Sequence, residues 1–169
     1  MRSLLLTLCL MTAHICFSQT PHPADSAAVI RVIDNMLALK NKDIKKQDSL
    51  LQKAIDISRQ IKRPDYQVKF YHLWSALKLQ QNELQLATDL AQKSIQIGKQ
   101  GSLENDVCFR DAVTQLTMCY SYINKPDSCI SWAEYGKRLC RVANDDFNYS
   151  ILQTLEAINR IGHGPDRQA

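Results

Sequence analysis

The strongest constraint on this chain is an internal repeat, because two segments of roughly forty residues match each other position by position. The first half of the repeat aligns at an offset of 43 residues and the second half at 42, so the turn between the halves differs by one residue. The matched pairs are Tyr66 with Phe109, Phe70 with Val113, Leu73 with Leu116, Ala76 with Cys119, Leu79 with Tyr122, Ala87 with Cys129, Leu90 with Trp132, Ala91 with Ala133, Ser94 with Gly136 and Ile97 with Leu139. A repeated helix pair of this length is typical of a solenoid, in which each unit buries its apolar face against the next.

The remaining sequence also favours long helices. Only five glycines and five prolines occur among 169 residues, so the chain has few turn-forming residues. Apolar side chains recur at three- and four-residue steps, and no stretch shows the two-residue alternation of a strand. The predicted helices cover roughly 25–37, 44–61, 65–79, 84–97, 102–122, 126–140 and 147–161. Short turns between them make neighbouring helices antiparallel. The sequence therefore predicts an all-α fold: a right-handed α-solenoid of about three antiparallel helix hairpins and a C-terminal capping helix, over residues 25–162.

The N-terminus has the pattern of a signal peptide. Met1 and Arg2 precede a nearly uninterrupted apolar run over 3–17, which is too short to span a bilayer comfortably. Small residues at Cys16 and Ser18 predict cleavage after Ser18, so that residues 1–18 are removed and the protein is periplasmic or secreted. The less favoured alternative is an uncleaved membrane anchor. Residues 19–24 are predicted to be a stiff leader and 163–169 a disordered tail.

The repeat resembles the tetratricopeptide-repeat family over roughly residues 25–161. The resemblance rests on the small residues that face each other between the helices of a hairpin, on a second small residue seven positions later, and on the aromatic and leucine residues before each turn. Those small residues are Ala76, Ala87, Cys119, Cys129, Ser94 and Gly136. This sequence departs from the family in its longer repeat, in lacking the Trp-Leu-Gly-Tyr consensus, and in having the closing proline only at Pro64. A generic array of helix hairpins outside this family is the alternative.

The resemblance implies a concave groove, lined by the first helix of each hairpin, that binds a peptide or a partner protein. The side of these helices opposite the apolar stripe holds the candidate groove residues Gln67, Tyr71, Trp74, Lys78, Gln81, Arg110, Thr114, Thr117, Ser121, Asn124, Tyr149, Gln153, Glu156 and Arg160. This surface is polar, almost neutral and contains aromatic residues, which suits an extended peptide. The formal net charge of +4 is too small to favour nucleic acid.

Four cysteines of the predicted mature chain have a symmetric spacing. Cys108 and Cys119 are eleven residues apart, as are Cys129 and Cys140, so each pair shares one face of a helix. In a hairpin that turns near residue 124, Cys108 lies level with Cys140 and Cys119 with Cys129. An oxidising compartment would allow both pairs to form disulfides. The alternative is that they are ordinary buried cysteines, and zinc fits the spacing poorly.

No motif in the sequence points to catalysis. The histidines beyond the signal peptide are far apart, and His72 is interpreted as a surface or groove residue. The acidic residues Asp106, Asp111, Asp145 and Asp146 are explained by helix capping and by the helix dipole. We therefore expect no enzyme activity, no cofactor and no metal.

Taken together, the sequence predicts an exported interaction module whose partner is another protein or a peptide, with membrane contact only during export. Two alternatives remain open. One is the sensory region of a membrane-bound histidine kinase or transcription regulator, and the other is a helical protein that binds a small molecule.

Overall fold

The structure, a computed structural model, describes residues 44–162, and these residues are helical apart from short turns. The helices are α1 (Ile44–Gln60), α2 (Pro64–Gln80), α3 (Leu84–Gln100), α4 (Val107–Tyr122), α5 (Pro126–Ala143) and α6 (Asp146–Gly162). The predicted all-α class is confirmed. The predicted signal peptide, leader, first helix and tail lie outside the described residues. Within 44–162, no helix is both long enough and apolar enough to cross a membrane.

The start of α4 differs from the expectation that Ser102 opens this helix. Ser102 has a positive φ of 53°, which ends α3 instead of beginning a new helix. Asp106 is the N-cap of α4, and its carboxylate accepts a hydrogen bond of 2.7 Å from the backbone N–H of Cys108. Proline begins α2 at Pro64 and α5 at Pro126, because the first turn of a helix does not need the missing N–H.

The five turns between the helices share one geometry. Each contains a non-glycine residue in the left-handed region, with φ between 53° and 62°. These residues are Lys62, Asn82, Ser102, Asn124 and Asn144. The backbone N–H of the next residue then bonds back to a carbonyl five positions earlier, for example from Glu83 to Lys78 at 3.0 Å. This hydrogen bond ends each helix in the same way and reverses the chain direction within a few residues.

The helices contact one another in a regular order. Each helix lies against the next in the chain, and in addition α2 contacts α4 and α4 contacts α6. Helix α4 is therefore surrounded by α2, α3, α5 and α6, and every residue over 108–119 is buried. The small residues of the repeat lie where helices approach closely. The Ser94 hydroxyl donates to the Val68 carbonyl at 2.7 Å, and the added Cβ of an alanine at Gly136 would lie 2.8 Å from Val113.

Candidate functional site

The predicted groove residues of α2 face α1. Trp74 Nε1 and Lys78 Nζ donate to the two carboxylate oxygens of Asp48 at 2.8 and 2.7 Å. The Tyr71 hydroxyl accepts a hydrogen bond from Arg59 of α1. Gln67 also reaches α1 and donates to the Ser58 carbonyl, whereas Gln81 follows α2 directly and accepts from Lys78 of that helix. The contacts with α1 join the two helices, so these side chains stabilise the fold.

The predicted groove residues of α4 and α6 mostly join neighbouring helices as well. Their pairs are Arg110 with Asp145, Ser121 with Asn159, Tyr149 with Arg141, Glu156 with Lys137 and Arg160 with Glu134. Thr117 is fully buried and donates to the Val113 carbonyl of its own helix. Asn124 lies in a turn and Gln153 is exposed on α6.

The fourteen predicted residues therefore do not form one open groove. A helix within this array is covered on two or three sides, so the side opposite its most apolar stripe is also in contact with a neighbour. Of the fourteen, Thr114 alone lines a small recess between α2, α4 and α6.

A small recess lies between α2, α4 and α6. It has an empty volume of about 300 Å³, part of which is open to solvent, whereas its enclosed space holds about one water molecule. Its lining residues come from all three helices and are His72, Asp111, Thr114, Gln115, Phe147, Asn148 and Ile151. This set combines buried polar groups with the apolar side chains of α6, and we call it the His72 recess.

Among residues 44–162, two buried polar atoms of the His72 recess have no hydrogen-bond partner. They are Nδ1 of His72 and the hydroxyl oxygen of Thr114. The two residues are only 6% and 5% exposed, and the enclosed space beside them has room for only about one water molecule. Leaving a buried polar group without a partner costs about 1–3 kcal/mol. A hydrogen-bonding ligand that enters the recess would recover this free energy.

His72 is uncharged at neutral pH. Burial lowers the pKa of its imidazole to about 3, and the nearby positive charge of Lys69 acts in the same direction. A neutral imidazole has one N–H donor and one bare nitrogen that accepts. The Thr114 hydroxyl can also donate or accept, so this part of the recess is adaptable and suits an amide group of a ligand.

A hydrogen-bond network holds the beginning of α6 against α4 and shapes one side of the recess. Asn148 Nδ2 donates to Asp111 at 2.9 Å and to Asp145 at 3.0 Å, and Arg110 Nε donates to Asp145 at 2.8 Å. Burial by itself would raise the pKa of Asp145, but the hydrogen bonds from Arg110 and Asn148 outweigh it and lower this pKa. The carboxylate of Asp145 also caps α6 by accepting from the Asn148 backbone N–H at 3.1 Å.

The α6 side of the recess is apolar and partly exposed. Phe147 is 42% exposed although it is a large aromatic residue, and Ile151 is half-buried beside it. An apolar ligand group could cover both side chains and remove them from water.

The four cysteines are free thiols, so neither predicted disulfide is present in the structure. The members of each predicted pair lie in different parts of the core. Cys108 and Cys119 belong to the apolar cluster between α2, α3 and α4, and the hydroxyl of Ser75 lies 3.5 Å from Cys119 Sγ. Cys129 and Cys140 instead pack with apolar residues of α6, namely Leu155 and Leu152. The spacing predicted matched heights along the hairpin, but the two members of each predicted pair pack in different apolar clusters.

The environment of these thiols is apolar. Burial raises the pKa of Cys129 to about 11 and that of Cys140 to about 12. They are therefore protonated at neutral pH, which is the unreactive form. Within residues 44–162, no three His, Cys, Asp or Glu side chains form a group that could hold a metal ion.

The sequence interpretation missed His72 and Asp111 as residues of one site. Asp111 had been assigned to capping, but it lies five residues after the Asp106 cap, beyond the first turn of α4, and its carboxylate accepts from Asn148 of α6. One signal was available in the sequence. Position 72 aligns with Gln115 at the repeat offset of 43, so two polar residues occupy equivalent places in an otherwise apolar pattern.

Comparisons with known proteins identify the fold and no family. No family model and no curated protein matches the sequence. Several solved structures resemble the fold, among them BtubC (BKLC) from P. vanneervenii, with a TM-score of 0.75 and 14% sequence identity. The similarity covers 83% of this chain and 57% of that one, so the present chain spans little more than half the length of BtubC. At this identity the likeness supports the all-helical architecture alone.

Proposed function

We propose that this protein is an exported interaction module, of the tetratricopeptide-repeat type, that binds a peptide segment of a partner protein at the His72 recess and performs no catalysis. The observation that carries the proposal is a pair of buried polar atoms, His72 Nδ1 and Thr114 Oγ1, which have no partner within residues 44–162 and lie beside the exposed ring of Phe147. Peptides supply both kinds of group that this arrangement lacks, namely backbone amides and apolar side chains.

The dimensions of the recess favour a peptide over a compact small molecule. Its enclosed part holds about one water molecule, so only one group of a ligand can enter while the rest lies across the open side. Small-molecule sites usually bury most of the ligand in a cleft of roughly 300–1,000 Å³. A peptide needs less depth, because it binds along a surface and places single side chains in pockets.

The proposal of export rests on the apolar run over 3–17 and on the small residues before Gln19. N-terminal sequencing of the protein recovered from the periplasm or medium of an expressing bacterium tests it. We expect the sequence to begin at Gln19. Recovery of the intact chain from the cytoplasm would contradict export and would leave the binding proposal untouched.

The binding proposal is tested by selecting peptides from a random library on the immobilised protein and measuring their affinity by fluorescence anisotropy. Thr114→Val keeps the shape of the side chain but removes the hydroxyl, and Phe147→Ser removes the apolar wall. A single lost hydrogen bond is worth about 0.5–1.5 kcal/mol, so Thr114→Val should weaken peptide affinity about 2- to 12-fold.

Leu86→Ser is the matched control, because Leu86 is 40% exposed like Phe147 but lies on α3. It should leave the affinity unchanged. Peptides that bind the wild type and both recess variants equally well would show that the recess is not the binding site.

A further inference from the structure

The two side-chain amides that line the His72 recess use their N–H groups in other contacts. Gln115 Nε2 donates to the Ser75 hydroxyl at 3.2 Å and to Cys119 Sγ at 3.7 Å. Asn148 Nδ2 donates to two aspartate carboxylates, at 2.9 and 3.0 Å. An amide nitrogen carries two hydrogens, so the part of each amide that is left for a ligand is its carbonyl oxygen.

The other polar groups of the recess are mainly acceptors. Asp111 contributes a carboxylate, which accepts hydrogen bonds and has none to donate. The neutral imidazole of His72 can carry its proton on Nε2, which leaves the buried Nδ1 as an acceptor. The Thr114 hydroxyl accepts through its lone pairs and has a single hydrogen to donate. The recess is therefore rich in acceptors and poor in donors, so it suits a ligand group that donates several hydrogen bonds.

The charges around the recess favour a cationic donor over a neutral one. Among the described lining residues, Asp111 is the one that carries a charge. Arg110 lies close by, but its guanidinium is paired with Asp145 at 2.8 Å. The positive charge of Lys69 acts on His72, but Lys69 is not part of the described lining. A cation that enters the recess therefore lies nearest to the negative charge of Asp111.

The size of the enclosed space fits a primary ammonium group. This space holds about one water molecule, and an ammonium group is close to water in size. An ammonium has three donors and no acceptor, which matches His72 Nδ1, Thr114 Oγ1 and one oxygen of the other lining residues. A backbone amide supplies a single N–H. A guanidinium is a larger planar group, so an arginine side chain does not fit the enclosed space.

The apolar side of the recess suits the methylene stem of a lysine. Phe147 is 42% exposed, Ile151 is half-buried, and both belong to the lining. Lysine packs its methylene groups along apolar side chains while its ammonium reaches a polar partner. An aromatic ring also attracts a cation that lies within about 6 Å of its centre. The N-terminal amine of a peptide has no such stem, so Phe147 and Ile151 favour lysine as the source of the ammonium.

We propose that the His72 recess binds a lysine side chain of the partner peptide. The ammonium group donates to His72 Nδ1 and Thr114 Oγ1 and lies beside the carboxylate of Asp111. The methylene stem lies across Phe147 and Ile151. This inference rests on the proposed peptide-binding function, because it names the residue of the peptide that enters the recess.

The n-butylammonium ion reproduces the lysine side chain without a peptide, so it tests the recess apart from the peptide-binding function. The protein, expressed and processed from the full-length sequence, is titrated with n-butylammonium chloride and followed by NMR. Butyramide and sodium butyrate at the same ionic strength are the comparison ligands. We expect saturable shifts of the His72 ring and the Ile151 methyl groups. Butylammonium should bind about fivefold more tightly than butyramide, or better, because its hydrogen bonds are charge-assisted, and butyrate should cause no shift.

Variants of the lining test the assigned groups. Asp111→Asn keeps an oxygen acceptor but removes the charge, so it should weaken butylammonium binding about fivefold or more and leave butyramide binding unchanged. Thr114→Val removes one acceptor and should weaken the binding of both ligands. Asp89→Asn is the matched control, because Asp89 is exposed on α3, which does not line the recess, and it should leave both affinities unchanged.

Equal affinities for butylammonium and butyramide would overturn the proposal, as would butylammonium binding that neither Asp111→Asn nor Thr114→Val weakens. In the selected peptides, replacing each lysine in turn by norleucine should abolish binding at one position. Peptides that bind at the recess without any contribution from lysine would refute the inference and leave the peptide-binding function standing. A loss of binding on acetylation of the peptide N-terminus would also refute it. If butylammonium binds as expected but no peptide is selected, the proposed function fails and the chemistry assigned to the recess stands.

Discussion

Burial of His72 makes the stability of the fold depend on pH. The pKa of this side chain is about 3 in the folded protein, against about 6.5 in an unfolded chain. Between these values the unfolded chain takes up a proton that the folded protein does not. Stability is therefore highest above pH 6.5 and falls as the pH falls toward 3, with a slope of up to about 1.4 kcal/mol per pH unit.

The first prediction uses His72→Gln, which removes this titration. Between about pH 6 and about pH 4 the wild type should lose about 2–3 kcal/mol more unfolding free energy than the variant. Urea unfolding of both proteins across this range, followed by far-UV circular dichroism, measures the difference. Equal pH slopes for the two proteins would show that His72 titrates normally in the folded state.

The second prediction concerns the close packing of the Phe109 ring against Gly98. A Cβ added there would lie 2.3 Å from Cδ2 of Phe109, whose side chain is fully buried. Gly98→Ala should therefore destabilise the protein by about 1–3 kcal/mol, although alanine is the better helix former. Gly162→Ala is the control, because nothing lies within 4 Å of its added Cβ. If both variants unfold at the same urea concentration, the contact between Gly98 and Phe109 is not tight.

Individual site residues were the hardest to predict from the sequence. The spacing of apolar residues shows that α2 is a helix, but the side facing each neighbour depends on how three helices meet. Tyr71 and His72 are adjacent in the chain, yet Tyr71 contacts α1 and His72 lines the recess. A rotation of about 100° separates the two positions, and no local signal distinguishes them.

At the level of the elements, the turns repeat one strained conformation. A non-glycine residue in the left-handed region costs roughly 1–2 kcal/mol, and asparagine tolerates it better than most. Asn82, Asn124 and Asn144 occupy three of the five turns, whereas Lys62 has no such advantage. The backbone hydrogen bond that closes each helix offsets this conformational cost.

The third prediction follows from the exposed turn residue Lys62. Lys62→Gly should raise the unfolding free energy by about 0.5–1 kcal/mol, since glycine adopts a positive φ without a steric penalty. Lys53→Gly, at an exposed position in the middle of α1, should lower it by about 1 kcal/mol. Thermal unfolding of the two variants beside the wild type measures both effects. A destabilising Lys62→Gly would show that the lysine side chain contributes more than the strain costs.

Helix positions were largely predictable because prolines and polar caps mark their ends. The helices beginning at Pro64 and Pro126 start within a residue or two of the expected places. The start of α4 was wrong because Ser102 and Asp106 are both good N-cap residues, and the choice between them depends on how the preceding helix ends. Ser102 completes the turn after α3, so Asp106 is left to cap α4.

For the whole molecule, the four cysteines are distributed over three apolar clusters of the core. The fourth prediction is that iodoacetamide labels none of Cys108, Cys119, Cys129 and Cys140 in the native protein, because all four are buried. In denaturant without reductant it should label all four, because no disulfide protects them. Peptide mass mapping distinguishes the four sites. Protection of two or more in denaturant would restore the disulfide hypothesis.

The all-helical architecture could be predicted from the repeat because equivalent positions in two hairpins carry side chains of equivalent size. Ser94 and Gly136 both lie where helices approach closely, as the alignment of small residues suggested. The packing direction of each side chain was not predictable in the same way. The spacing suggested that Cys119 pairs with Cys129, whereas the two residues pack in different clusters of the core.

The enclosure of α4 has a consequence for how the molecule opens. Four helices surround α4, whereas α6 makes its main contacts with α5 and α4 among the described helices. An array in which units contact near neighbours loses its ends before its centre. Amide hydrogen exchange should therefore be slowest over 108–119 and measurably faster in α6. Each brief detachment of α6 would also remove one wall of the His72 recess, so a bound peptide should slow exchange in α6 more than in any other helix.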